Sequence, residues 1–296
     1  MASEIGWELY RTFLGALQAG SLSGAARALD LTQPTVGRHI DALEKALGVT
    51  LFTRSQAGLS PTDAAIGLRS YAEAMRSQAE ALVRAAESQG AAAKGTVRVT
   101  ASEVIGVEVL PPILARLRQE HPLLKVELVL ANQMQDLLRR EADIAVRMTR
   151  PTQDVLVARR LGNVELGLFA HRRYLRARGT PASVAELAGH SLIGYDRETP
   201  FLRAARKGFP FWHRSAFALR ADSDVAQLAC IRAGVGIGVC QVKLAMRQPD
   251  LVRVLAQEFS MPLDTWVTMH EDLRATRACQ VVFDALVSGL GEYLAP

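Results

Sequence analysis

The chain has 296 residues, of which 49% are hydrophobic, and 35 basic against 30 acidic side chains give it a net charge of +5. That length and apolar content suit two domains with a core each, and the charge is compatible with a nucleic-acid partner without requiring one. No run approaches the roughly 18 consecutive apolar residues of a spanning helix, and the N-terminus, with Glu4 and Glu8 flanking Trp7, lacks the cationic and apolar regions of an export signal; no membrane partner and a cytoplasmic protein are expected.

Leu9, Phe13 and Leu17 recur at four-residue spacing on one face of a first helix that stops at Gly20. Ser21 and Ser23 are capping residues for a short second helix, with Ala25, Ala26 and Leu29 on its buried side. Thr32 is an N-cap and Pro34 a first-turn residue for a third helix, whose apolar stripe is Val36, Ile40, Leu43 and Leu47 and whose end is Gly48. Residues 49–60 read as a two-stranded wing. From Pro61 to Ser88 the residues Leu68, Ala72, Met75, Ala79, Leu82 and Ala86 step by fours and threes, an a/d seam. A helix of that length spans about 38 Å at about 1.5 Å per residue, too long to bury itself in a 60-residue domain, so pairing with a second copy is expected. Residues 89–95 are a small-residue hinge.

Beyond Gly95 strands and helices alternate. TVRVTAS, KVELVLA and DIAVRM read as strands, with helices at 106–120 and over MQDLLRREA, a parallel β-α-β-α-β half. A second half starts at LGLFAH and runs through a helix at 183–188, a strand at LIGYD, a helix at AQLACIRAG and a strand at GIGVC. VTMHED is the return strand, and a helix from Thr276 to about Leu290 closes the fold. Gly234, Gly236 and Gly238 imitate a dinucleotide fingerprint, but they run from helix to strand, the reverse of the order a phosphate loop needs, and read as a close-packing turn.

A helix-turn-helix needs small residues where its helices cross and polar groups on the first turn of the second helix, within reach of base edges in the major groove. Ala25 and Ala26 supply the crossing. Gln33, Thr35, Arg38 and His39 point outward from the start of the third helix: Gln33 suits adenine, the Thr35 methyl a thymine methyl, and Arg38 guanine or phosphate. Residues 1–60 hold five basic and five acidic side chains. Charge alone does not single this segment out.

The stretch SLSGAARALDLTQPTVGRHIDALEKALGVTLFTR resembles the signature of LysR-type transcriptional regulators almost throughout, at Phe13, Ser21, Ala25, Ala26, Leu29, Gln33, Pro34, Val36, Ile40, Leu43, Glu44, Leu47, Gly48, Leu51, Phe52 and Arg54. The resemblance implies that Gln33, Pro34, Thr35 and Arg38 lie on a recognition helix and that Arg54 in the wing contacts the DNA backbone or minor groove. GTVRVTAS, VLPPILARLRQEHP, EADIAVRM and CIRAGVGIGVC resemble the family's effector domain, similar in fold to periplasmic binding proteins. The chain departs from the pattern at Gly37, where the family has serine, at Leu59–Ala64 after the wing, and at Cys240-Gln241, where an apolar residue and proline are usual.

The expected architecture is thus an α/β protein with a winged helix-turn-helix at 1–60, a linker helix and hinge at 61–94, and a two-lobed effector domain at 95–296. Lobe I covers about 95–164 and 267–296, lobe II about 165–266. Partners are double-stranded operator DNA, a second or further copies as homodimer or homotetramer, and a small-molecule effector; no cofactor is implied. Parallel α/β halves bind ligands beyond the carboxyl ends of their strands, which here carry Ser102, Glu103, Asn132 and Arg147 in one half and Tyr195, Asp222 and Ser223 in the other, with Cys240 on the pocket wall. Ser102 and Arg147 together suit a carboxylate.

Three rival functions are weaker. Six dispersed histidines with no catalytic motif argue against an enzyme. A free-standing solute-binding protein does not explain the reader domain. Redox sensing by Cys230 and Cys240 remains an alternative, although both lie in apolar runs where cysteine is ordinarily a small buried hydrophobe.

Overall fold

The computed structural model describes residues 5–55, 58–87, 93–132, 142–151 and 156–295. These divide into two compact units, the first reaching Val83 and the second beginning at Arg84.

In the first unit α1 (Trp7–Ala19), α2 (Leu22–Leu29) and α3 (Gln33–Leu47) are followed by a hairpin of β1 (Phe52–Ser55) and β2 (Gly58–Pro61), then by α4 (Asp63–Glu87). Local chemistry sets the breaks. Gly20 takes φ +61° and returns its N–H to the Ala16 carbonyl, Ser21 Oγ accepts the Gly24 N–H at 3.1 Å, and Thr32 Oγ1 accepts the Thr35 N–H at 3.3 Å. Phe13, Ala25, Val36, Ile40, Leu43, Leu51 and Phe52 form the core, and the fully buried Ala25 lets the helices cross closely. The wing is tied down twice: Glu44 Oε1 accepts the N–H groups of Leu51 and Phe52 at 2.6 and 3.1 Å, and Leu59 N–H donates to the Gly20 carbonyl at 2.9 Å.

The expected seam on α4 divides. Leu68 and Ala72 pack into the unit's own core, whereas Met75 and Leu82 stand exposed together with Ile66, Tyr71 and Val83. The first three turns of α4 place Ala65, Leu68 and Ala72 against the core and turn Ile66 and Tyr71 away from it.

The second unit has two hydrophobic centres. Lobe I contains β3 (Gly95–Ala101), α5 (Leu110–Glu120), β4 (Leu124–Leu130), β5 (Ile144–Arg147), parts of β6 (Leu156–His171), and elements from the end of the chain. Strands β4, β3 and β5 are parallel neighbours, as expected, and a π-type turn over Ile105–Val109 introduces α5. The helix expected over MQDLLRREA lies outside the described residues. Lobe II adds α6 (Arg172–Arg178), β7 (Leu192–Gly194), α7 (Pro200–Gly208), β8 (Phe217–Arg220), α8 (Asp224–Arg232), β9 (Gly238–Gln241), α9 (Val242–Met246) and β10 (Leu251–Val254). The chain returns through β11 (Met261–His270) and ends in α10 (Arg277–Leu294).

One sheet runs through both lobes in the order β10-β6-β11-β5-β3-β4, with β9 also on β6. Strand β6 starts ten residues before the expected LGLFAH. Its first part pairs with β11 and its last part with β9 and β10, all antiparallel, so the two lobes are joined by paired crossing strands. Val99, Leu110, Ile144, Val282 and Leu286 centre lobe I; Leu168, Trp212, Ile237 and Phe259 centre lobe II, beside a further cluster around Phe169, Ile231 and Cys240. The glycine-rich turn before β9 is a packing device, because a Cβ on Gly236 would sit 2.0 Å from the Ser191 carbonyl oxygen.

Candidate functional site

Two surfaces carry the candidate chemistry. In the first unit, α3 buries Val36, Ile40 and Leu43 and leaves Gln33, Pro34 and Arg38 exposed, with Thr35 half-buried beside them. The exposed groups are ordered among themselves. Thr32 and Thr35 share a hydrogen bond between hydroxyls at 2.8 Å, and Arg38 Nη2 donates to Thr35 Oγ1 at 3.4 Å, weak enough to be exchanged for a better acceptor. His39, expected on the same face, turns elsewhere: it is half-buried, and its Nδ1 lies 2.9 Å from Thr12 Oγ1 on α1, a contact that joins the two helices. Arg54 lies on β1 in register with Leu59; its side chain is outside the described residues.

In the second unit the ends of β3 and β5 face α8 across the cleft between the lobes. A cavity of about 110 Å³ lies there, with Ser102, Tyr195, Asp224, Gln227, Cys240 and Gln241 as its polar and sulfur lining and Met148, Leu166, Phe201, Leu228 and Leu263 among its apolar walls. Of the eight expected residues it brings Ser102, Tyr195 and Cys240 to the wall. Glu103, Asn132 and Ser223 close its edge by bonding with one another and with α8. Ser223 caps α8 and donates its hydroxyl to Glu103 Oε2 at 2.7 Å; Asn132 accepts the Glu103 N–H at 3.0 Å and donates to Asp224 Oδ2 at 2.9 Å; Tyr195 donates to Asp224 Oδ1 at 2.6 Å.

Two expectations are corrected. Arg147 does not join Ser102: its Nη2 donates to Thr100 Oγ1 at 2.7 Å and its Nη1 to the Val146 carbonyl at 3.1 Å, so the guanidinium folds back on its own sheet, where burial lowers its pKa to about 10. Asp222 does not line the cavity either. Its Oδ1 accepts the N–H groups of Asp196 and Arg197, stabilising the turn after β7.

Sequence reasoning missed Asp224, Gln227 and Gln241. The Cys240-Gln241 departure pointed to the last, since Gln241 Oε1 accepts the Tyr293 hydroxyl at 2.8 Å and so sits fixed behind the cavity. Asp224 is held above the usual carboxylate range, chiefly by burial and further by the Glu103 charge. Tyr195 is raised well above its ordinary value, first by burial and then by the Asp224 charge, so its hydroxyl stays a donor. Cys240 is buried and its thiol is pushed up to about 12 by that burial, the opposite of the low-pKa thiolate that redox sensing uses. No cluster of three or more possible metal ligands occurs among the described residues.

The pattern of the LysR substrate binding domain matches residues 90–291, and that of the bacterial regulatory helix-turn-helix protein, lysR family, matches residues 7–66. The HTH-type transcriptional regulator CrgA of Neisseria meningitidis serogroup B is 28% identical over 294 residues, covering 95% of this chain and 96% of that protein. A probable HTH-type transcriptional regulator of Klebsiella pneumoniae, LtrA, is 25% identical over 283 residues, covering 93% of this chain and 91% of its own length. In fold the chain is similar to the full-length structure of the Vibrio cholerae virulence activator AphB, with a TM-score of 0.62 at 20% identity, covering 96% of this chain and 99% of that one.

Proposed function

We propose a division of labour for this chain, which belongs to the LysR family of DNA-binding transcriptional regulators: the start of α3 reads operator bases, the wing touches the backbone or minor groove, and the cleft of the second unit holds a small effector. Gln33, Pro34, Thr35 and Arg38 are the reading residues and Arg54 the wing contact; His39 serves as a brace to α1. The observation that carries this reading is the face of α3, where Gln33 and Arg38 are exposed on the first turns while Val36, Ile40 and Leu43 are committed to the core. Selection of bound duplexes from a random pool by the full chain tests it. Enrichment of a short, two-fold symmetric sequence is expected; a pool that stays random contradicts it.

The reader is taken as residues 1–60, the linker and hinge as 61–94 and the effector domain as 95–296. The exposed stripe of Tyr71, Met75 and Leu82 on α4 favours assembly through that helix as homodimer or homotetramer, because apolar side chains aligned on a long helix are covered most simply by a second copy. The protein acts as a non-enzymatic regulator in the cytoplasm. No described helix is long and apolar enough to cross a membrane.

A further inference from the structure

Helix α8 is gripped at both ends by acidic residues of the segment that follows β3. At its N-terminus the Glu103 carboxylate accepts the Ser223 hydroxyl at 2.7 Å and the Val225 N–H at 3.4 Å. At its C-terminus Glu108 takes Arg232 through both oxygens, at 2.6 and 2.8 Å. Asn132 adds a cross-link by accepting from Glu103 and donating to Asp224.

The first turn of a helix offers unbonded N–H groups and the positive end of the helix dipole, which makes it the natural seat for an anion in a two-lobed binding domain. In this chain the anion is its own side chain. The described residues that line the cavity behind the seat offer no cation to a second anion. Asp224 is the one carboxylic acid or base among the described lining residues, and Glu103, whose charge it feels, lies beside it. Arg147 is spent on Thr100 and the Val146 carbonyl, and Arg232, whose charge is felt at Cys240, is neutralised by Glu108. A carboxylate entering here meets like charge at low dielectric, where repulsion is strong. Ser102 Oγ, by contrast, lines the cavity buried and without a hydrogen-bond partner, an open position for one polar group of a ligand.

We propose that Glu103 is a tethered substitute for an anionic effector, seated on α8 to hold the two lobes together, and that the cavity behind it takes an uncharged small molecule, apolar over most of its surface, with one hydrogen-bonding group for Ser102. The ligand class rests on the reading of this cleft as the effector site. The seat itself does not, because the Glu103 contacts exist whatever the cavity binds.

Chemical rescue in the full chain tests both parts. Glu103→Gly empties the seat, and its second unit is expected to melt about 3 to 12 °C below wild type, the range for losing one good hydrogen bond to a charged group, that from Ser223, in a domain of this size. Sodium acetate or formate, compared with sodium chloride at equal ionic strength, is expected to restore at least half of that loss in the variant and to leave wild type unmoved. Glu103→Gln, which fills the seat without charge, is expected to melt between the two and to ignore acetate. Equal melting of Glu103→Gly and wild type overturns the proposal, as does acetate raising both alike. If Glu103→Gly does not fold, Glu103→Ala with formate gives the same comparison. For the ligand class, wild type is titrated with matched amides and carboxylates, propionamide against propionate and benzamide against benzoate. An amide is expected to raise its melting temperature more than the matching anion; the reverse order overturns the uncharged class while leaving both the seat and the cleft assignment standing.

Discussion

Replacing Arg84 with methionine isolates a buried ion pair within the second unit, between the end of α4 and the residue before β5. Arg84 Nε and Nη2 donate to Asp143 Oδ2 and Oδ1 at 2.9 and 3.1 Å, with the two side chains only 8% and 4% exposed. Exposed ion pairs contribute about 0–1 kcal/mol, but removing one partner of a buried pair strands the other and costs about 3–5 kcal/mol. At about 2–4 °C per kcal/mol for a unit of this size, Arg84→Met is expected to lower its melting temperature by about 6–20 °C. Asp143 Oδ2 also accepts the Arg98 N–H at 2.8 Å. The double variant Arg84→Met/Asp143→Leu therefore regains most of the loss, leaving about 1–3 kcal/mol for that stranded N–H. Differential scanning calorimetry of the full chain reads both variants. A loss below about 1 kcal/mol in the single variant, the level of a surface pair, refutes the reasoning.

Glu44→Ala strands the Leu51 and Phe52 N–H groups and is expected to destabilise the first unit by about 2 kcal/mol, while Glu44→Gln, which keeps an acceptor, loses less; circular dichroism melts distinguish them. Hydrogen bonding to Arg232 holds the Glu108 carboxyl below its ordinary value of 4.5, so this pair's stabilisation is complete above that pH and fades as pH falls through the lower folded value. Glu108→Gln should flatten the acid limb of the stability profile, and an unchanged limb would count against the pair. Burial pushes the Cys240 and Cys279 thiols up to about 12, so native protein at pH 8 is expected to take alkylating label at no more than Cys230, whereas guanidinium exposes all three cysteines. Rapid native labelling at Cys240 would contradict that.

Local signals carried the reader almost unaided. Thr32, Pro34 and Gly48 bound α3 as capping rules predict, and the spacing of Val36, Ile40 and Leu43 names its buried face. In the second unit the strands after Gly95 were legible because they are buried runs, but the first part of β6 was not, since LVARRLGNVEL mixes charges into a half-exposed strand. The cleft shows the limit most clearly. Glu103 and Ser223 are 120 positions apart and Asn132 and Asp224 are 92 apart, so no spacing reveals that these side chains bond to each other. Arg147 was placed correctly at a strand end, yet its rotamer was decided by Thr100 on the neighbouring strand. Similarly, the heptad on α4 could not show that Leu68 and Ala72 serve the core of their own unit.

The exposed face of α3 is the proposed DNA reader, and Arg38→Ala tests that assignment. On a duplex selected by the wild-type chain, the variant is expected to lose about 1–3 kcal/mol, roughly 5- to 150-fold in affinity, with its oligomer size unchanged in ultracentrifugation. Wild-type affinity for that duplex in the Arg38→Ala protein would contradict the account.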